Sequence, residues 1–228
     1  MAVKIISLAD ENIEIVNKEI EILKSLKHRN VLKYLASIRN QGLIYIITEL
    51  CAKGNLQEYI HHEYDLDIVP EHRARIYFRQ ICRGVGYLHE NSIAHRDIKM
   101  DNVFVTADLT LKIGDFGFGK NYLKSVLRTV AGTPVYMAPE LFNKQGEYTE
   151  KQDIWSLGVL LYKMLTGRYL FRIDTQVQLK NLVEQARVRM GKGWSPELQT
   201  LMRMMLHKDP EKRWNMQRIL NCKWLAQN

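Results

Sequence analysis

Two charged side chains occupy positions where apolar ones would be expected. On a helical wheel Glu19 falls among Ile15, Val16, Ile22, Leu23 and Leu26, whereas Glu11, Glu14 and Glu21 lie at the edge of that face or beyond it. Lys4, in the short apolar run before it, sits between Val3 and Ile5. A carboxylate on an apolar face is costly unless a cation meets it, so Lys4 and Glu19 form a candidate ion pair. The other reading open here is two charges at the edge of a core that reach solvent. Three further strings concentrate polar groups: His95-Arg96-Asp97-Ile98-Lys99-Met100-Asp101-Asn102, then Asp115-Phe116-Gly117, then Gly132-Thr133-Pro134-Val135-Tyr136-Met137-Ala138-Pro139-Glu140. Side chains of these types accept protons and neutralise anions. Each string is short enough to arise by chance, but their order and spacing together are not.

Periodicity identifies the elements that must position them. Residues 2–6 read as the end of a strand, and 10–27 as a helix with Ile13, Val16, Ile20 and Leu23 at helical spacing. Two β-rich runs, 31–38 and 43–50, are split by Gln41-Gly42. From Gly54 onward the signals turn helical. Residues 71–89 are periodic through Ile76, Ile81, Val85 and Leu88, with Pro70 suited to a first turn. Residues 93–119 alternate short β-like runs with turns, and 120–150 are irregular. Helices return at 151–166, 176–190 and 196–207, the last opened by Ser195 as N-cap and Pro196. Strands before about residue 50 and helices after it predict an α+β chain with a small β-rich lobe, residues 1–50, and a large helical lobe, residues 51–228.

Composition narrows the class. The 228 residues are 46% hydrophobic and 25% charged, which fits a globular chain and argues against disorder. The net charge of +8 is scattered, with no dense basic run, and reads as a solvated surface; neither a nucleic-acid nor a membrane partner is expected. Cys51, Cys82 and Cys222 are far apart and lack metal-ligand spacing, as in a reduced intracellular protein, cytoplasmic or nuclear. The longest apolar stretches, 43–50 and 154–165, are too short to span a bilayer, and the N-terminal apolar run is too short for a signal peptide.

Over essentially its whole length the chain resembles a eukaryotic-type serine/threonine protein kinase catalytic domain, from the third strand of that family's small lobe to its last helix. The resemblance implies a bilobal fold, ATP and Mg2+ as cofactors, and protein substrates bearing Ser or Thr. It implies that Lys4 holds the α and β phosphates, with Glu19 as its helix partner. Thr48 resembles the residue at the back of the adenine pocket, Glu49 to Cys51 the hinge whose backbone meets adenine, and Ala2 and Phe104 the apolar faces above and below the ring. Asn55 matches a position at the edge of the nucleotide site. Asp97 resembles the catalytic base, Lys99 the cation at the transferring phosphoryl group, and Asn102 and Asp115 the two magnesium ligands. Thr133 matches the threonine that closes a serine/threonine-type site. Asp153 resembles the carboxylate that binds catalytic-loop amides, Arg213 the partner of Glu140, and His95, Phe116, Leu23 and Tyr34 an apolar stack between the lobes.

The chain also departs from the pattern. Only Met1 to Val3 precede Lys4, and no G-x-G-x-x-G loop occurs, so the sequence reads as a fragment, an alternative start or a gene model missing its first part. A nucleotide lid and part of the adenine roof are then expected to be missing, and apolar sheet surface to be exposed. On that ground a catalytically impaired kinase-like binding or scaffold protein is the alternative function. Met100, Leu170 and the bulky Phe104 replace residues common in the family. The non-proline at 100, Phe104, the Glu49-Leu50-Cys51 hinge and the KIGDFG string resemble polo-like kinases; calcium/calmodulin-dependent-type kinases resemble the large lobe about as well. Thr129, four residues before Thr133, matches the position of an activating phosphothreonine. Arg96 and Lys120 would receive its phosphate, and an upstream kinase would add it. Ser125 is the more plausible second acceptor.

Overall fold

The computed structural model describes residues 1–8, 13–116, 134–142, 149–171, 188 and 190–227. The apolar-rich runs AVKIIS, YLASIRN and LIYIIT form three strands, β1 (Ala2–Ser7), β2 (Tyr34–Asn40) and β3 (Leu43–Thr48). They make an antiparallel sheet in the order β1-β3-β2, with β2 and β3 joined through Gln41-Gly42. Helix α1 (Ile13–Ser25) buries Val16, Glu19, Ile20 and Leu23 on one face. The register sets Ala2, Lys4 and Ile6 opposite Thr48, Ile46 and Ile44, of which Ile44 and Ile46 are buried. Because side chains alternate along a strand, Lys4 shares its face with Ala2 and Ile6, and not with Val3 and Ile5 as its sequence neighbours suggest. Val3 and Ile5 face outward with Ile38, and all three are more than half exposed.

The larger body begins at α2 (Leu56–Glu63), whose N-cap Asn55 forms a capping box with Glu58. Helix α3 (Glu71–Glu90) follows, then a short hairpin of β4 (Val103–Val105) and β5 (Leu111–Ile113). Helix α4 (Glu150–Thr166) is buried along most of its length and forms the centre of this body, as its apolar composition on every side requires. Helices α5 (Pro196–Met205), α6 (Met216–Leu220) and α7 (Lys223–Ala226) close it, α5 with the expected Ser195 cap and Pro196 in its first turn. Two apolar residues assigned to helical faces by periodicity point to solvent. Ile13 of α1 and Ile76 of α3 are exposed, and the buried face of α3 runs instead through Ala74, Tyr77, Phe78, Ile81, Val85 and Leu88. The helix read over 176–190 lies outside the described residues, apart from 188 and 190.

The two bodies are joined at β5. The amide of Ile113 donates to the Asn30 carbonyl at 2.9 Å, and the amide of Leu32 donates to the Ile113 carbonyl at 2.8 Å. Gly84 on α3 makes this approach possible, since a β-carbon there would meet the Asn30 carbonyl oxygen at 2.5 Å. Asp115, two residues past β5, is therefore held at the junction.

Elsewhere a buried ion pair ties the helical body together. The Arg213 guanidinium meets both Glu140 oxygens at 2.6 and 2.7 Å, donates to the carbonyls of His207 and Lys151, and lies 5.0 Å from the Trp155 ring. Removing one partner of such a pair leaves the other charge desolvated and alone. Arg213→Ala is expected to cost about 3–5 kcal/mol of unfolding free energy, read from the urea midpoint, while Lys212→Ala on the exposed neighbour changes it by less than about 0.5 kcal/mol.

Candidate active site

Lys4, Glu19 and Asp115 converge, although they come from a strand, a helix and a loop far apart in the sequence. The Lys4 Nζ lies 2.7 Å from Asp115 Oδ1 and 3.7 Å from Glu19 Oε1. Glu19 is buried on the inner face of α1 and Lys4 is half exposed at the mouth of the site. Partial burial pulls the Lys4 pKa down, but the Asp115 and Glu19 carboxylates outweigh it and the ammonium pKa is raised. The alternative of two unrelated charges reaching solvent is thereby corrected: the pair exists, and a third charge completes it.

The second cluster hangs from one carboxylate. Asp153, in the first turn of α4, is fully buried and accepts from the His95 amide at 2.8 Å, the Arg96 amide at 2.9 Å and His89 Nε2 at 2.9 Å. Burial alone would raise its pKa, yet the hydrogen bond and charge of His89 and the loop amides hold it below the ordinary carboxylate value. The His95 ring continues the chain. Its Nδ1 accepts from the Asp97 amide at 3.2 Å, so its Nε2–H donates to the Gly114 carbonyl at 3.1 Å. Asn102 Nδ2 donates to the Asp97 carbonyl at 2.7 Å, and the Gly114 amide donates to the Asn102 carbonyl at 2.9 Å. These bonds hold Arg96 (φ 70°) and Asp115 (φ 53°) in the left-handed region, a conformation costing non-glycine residues roughly 1–3 kcal/mol each. Lys99 Nζ lies 3.1 Å from Asp97 Oδ2, and the His95 and Phe116 rings meet at a tilt of 44° with centroids 5.1 Å apart.

A cleft of about 610 Å³ lies between the sheet and the helical body. Ala2, Lys4, Glu19, Thr48, Glu49, Cys51, Asn55, Asn102, Phe104 and Asp115 all line it. Asp97 and Lys99 do not line it; they stand beside it, tied through Asn102. Thr133 lies outside the described residues, as do Gly117, Lys120, Ser125 and Thr129. The Glu49 side chain turns to the Lys33 amide at 2.7 Å and the Lys112 ammonium at 2.9 Å, while its own amide donates to the Lys33 carbonyl at 3.1 Å and its carbonyl accepts from the Thr48 hydroxyl at 3.2 Å. Burial, with the nearby Glu49 charge, pushes the Cys51 thiol up to about 11, so it is protonated at neutral pH. The Asn55 side-chain oxygen is taken by the Glu58 amide at 2.9 Å, so Asn55 shapes the rim as a helix cap. Leu32, Ile46 and Glu58 also line the cleft but were not picked out from the sequence; the N-x-x-E capping pattern was the available signal for Glu58.

Asn102 and Asp115 fit a hard divalent cation. With the Asn102 amide nitrogen committed to the Asp97 carbonyl, its oxygen is the atom left to coordinate, and Asp115 adds a carboxylate on the same cleft wall. Two protein oxygens suit magnesium, which keeps several waters or substrate phosphates in its shell.

This arrangement belongs to a known class. The model of the family described as protein kinase domain matches residues 1–225. The chain is 33% identical to CBL-interacting protein kinase 25 of Oryza sativa subsp. japonica, over 92% of this chain and 42% of that protein. It is 35% identical to maternal embryonic leucine zipper kinase of Xenopus tropicalis, over 100% of this chain and 35% of the relative. It is 34% identical to serine/threonine-protein kinase PLK2 of Mus musculus, over 94% of this chain and 31% of that protein. The chain belongs to the protein kinase family and has its bilobal α+β fold, with a small sheet and a large helical body. It spans roughly a third to two-fifths of the length of these relatives. No helix among the described residues is long and apolar enough to cross a membrane.

The central histidine makes stability depend on pH. Burial holds the His95 pKa below its ordinary 6.5, so the ring stays neutral in the folded chain where the unfolded chain would bind a proton. Stability should therefore rise with pH up to about 6.5 and fall as pH drops below it; His28, also lowered by burial, acts in the same direction. Denaturant midpoints measured from about pH 5 to 8 should show this slope, and His95→Phe should flatten it while lowering stability throughout.

Proposed function

We propose that the chain transfers the γ-phosphoryl group of ATP to serine and threonine hydroxyls of protein substrates. The observation that carries this reading is the Lys4 ammonium, 2.7 Å from Asp115 and 3.7 Å from Glu19, in a cleft with Asn102 on its wall and Asp97 tied behind it. We take residues 1–50 and 51–228 as the two lobes, with the nucleotide between them.

In this reading Ala2 and Phe104 sandwich adenine, Thr48 backs the pocket, and the backbone from Glu49 to Cys51 meets the purine edge, with Asn55 at the rim. Lys4, aimed by Glu19, holds the α and β phosphates. Asp97 orients the substrate hydroxyl. As that oxygen attacks phosphorus and the bond to the ADP oxygen breaks, its proton passes to Asp97. Lys99, already beside Asp97, neutralises charge on the group in transit. Magnesium, when bound, would be held by Asn102 and Asp115 and would neutralise phosphate charge. Thr133 completes the site on the substrate side, and a phosphate placed on Thr129 by an upstream kinase would pair with Arg96. An intracellular location suits an ATP-dependent enzyme with three free thiols.

Asp97→Asn is expected to lower phosphotransfer to a serine peptide by roughly two to four decades, because a positioned general base is lost. Its affinity for Mg-ATP, followed by calorimetry, should stay near that of the unaltered protein. An Asp97→Asn protein with near-normal turnover would refute the assignment.

A further inference from the structure

A second cavity, of about 510 Å³, shares no lining residue with the cleft. It is formed by Lys151 in the first turn of α4, by the end of α5 and the segment that follows it, and by Arg218 of α6. Its contacts converge on Trp214. The Trp214 amide donates to the Met204 carbonyl at 3.4 Å, and the Arg218 guanidinium lies 4.8 Å from the centre of the indole ring. Lys151 Nζ donates to the Arg213 carbonyl, the group bonded to the Trp214 nitrogen, at 2.9 Å.

The charges on this wall do not cancel. Arg213 is neutralised by Glu140, and Lys212 faces Asp209 at 3.6 Å in an exposed pair. Among the described residues, however, neither Lys151 nor Arg218 has a carboxylate within ion-pair distance. Glu211, itself exposed, is the single acid among the described lining residues. Trp214 adds a donor without an acceptor: its Nε1–H is buried, and no described group accepts from it. Such a donor is costly, and native structures leave few of them. Arg218 lies over the ring but is exposed, so its side chain can move without disturbing the core.

An anion bearing several acceptor oxygens answers both features. A carboxylate brings one charge and two oxygens. A phosphate monoester brings a charge of about −1.5 to −2 at neutral pH and three strong acceptors, which match two free cations and one neutral donor. We infer that this cavity binds a phosphate group, carried on a phosphorylated protein side chain or free in solution. Arg218 and Lys151 pair with two of its oxygens, and a third accepts from Trp214 Nε1–H as Arg218 leaves the ring for the ligand. The inference does not depend on the nucleotide reading of the cleft.

The test follows the indole directly. The nitrogen-15-labelled chain has four tryptophans, and Trp214→Phe identifies the Trp214 indole resonance by its loss. Inorganic phosphate, a phosphoserine peptide and the same peptide unphosphorylated are titrated in turn, at about 0.15 M salt to screen loose surface attraction. The Trp214 indole proton should move downfield to saturation with a phosphate-bearing ligand. Arg218→Gln and Lys151→Met should each weaken that binding about tenfold, the scale of one charge-assisted hydrogen bond. Arg218→Gln, on an exposed side chain, serves if Lys151→Met fails to fold. Tighter binding of the phosphoserine peptide assigns the site to a phosphorylated protein, and inorganic phosphate binding as tightly assigns it to the free anion. Absence of saturable binding, a Trp214 resonance that stays still while ligand binds elsewhere, equal binding of the unphosphorylated peptide, or affinity unchanged in the folded variants would overturn the inference.

Discussion

The shared ammonium of Lys4 is the interaction on which the site depends. One cation is held between a buried carboxylate of α1 and a carboxylate just past β5, so the position of the helix, the edge strand and the junction loop are set together. Each partner would be costly alone. Glu19 is desolvated on an apolar face, and Asp115 is held in a left-handed backbone conformation. Sharing the lysine offsets both costs, but it also occupies the group that a triphosphate would need. In the proposed reaction, phosphate binding would redistribute this charge, with Asp115 turning from the ammonium toward a cation while Glu19 keeps Lys4 aimed.

A second carboxylate behaves differently. Asp153 is fully buried and does not line the cleft, and its partners include two backbone amides and an imidazole. Through His95 it fixes the Asp97 amide and the Gly114 carbonyl, and so both loop segments refer to the same helix. The site thus combines a rigid frame, anchored on α4, with one exchangeable ion pair at the mouth. That division fits a reaction in which positions must be constant while charge moves from ligand to ligand.

Much of this frame was legible in the sequence. The Lys4–Glu19 pair announced itself because a carboxylate on an apolar helical face requires a cation, and the structure supplies one. The Asp153 and Arg213 contacts followed from family resemblance, because their partners lie far away in the chain. What stayed hidden depends on which way a side chain faces. Lys4 was credited with the apolar surroundings of Val3 and Ile5, which strand alternation sends to the opposite face. Ile13 and Ile76 matched helical spacing but point outward, because periodicity cannot say which of two apolar phases packs. Asn55 was read for its nearness to nucleotide, yet its side chain serves the N-terminus of α2. Lys163 could have been found by the argument that found Glu19, a charge inside an apolar run, but among the described residues it donates to the Tyr169 hydroxyl at 2.8 Å, a partner that charge complementarity does not seek.

The measurement that tests the shared ammonium most directly is calorimetric titration of ATP into the unaltered protein and Asp115→Asn, with and without magnesium. If Asp115 competes with phosphate for Lys4 and is needed only to hold the cation, Asp115→Asn should bind metal-free ATP more tightly than the unaltered protein does, and Mg-ATP more weakly. Equal weakening in both conditions would contradict the account, because Asp115 would then support the nucleotide site by packing alone and Lys4 would not be exchanged between carboxylate and phosphate.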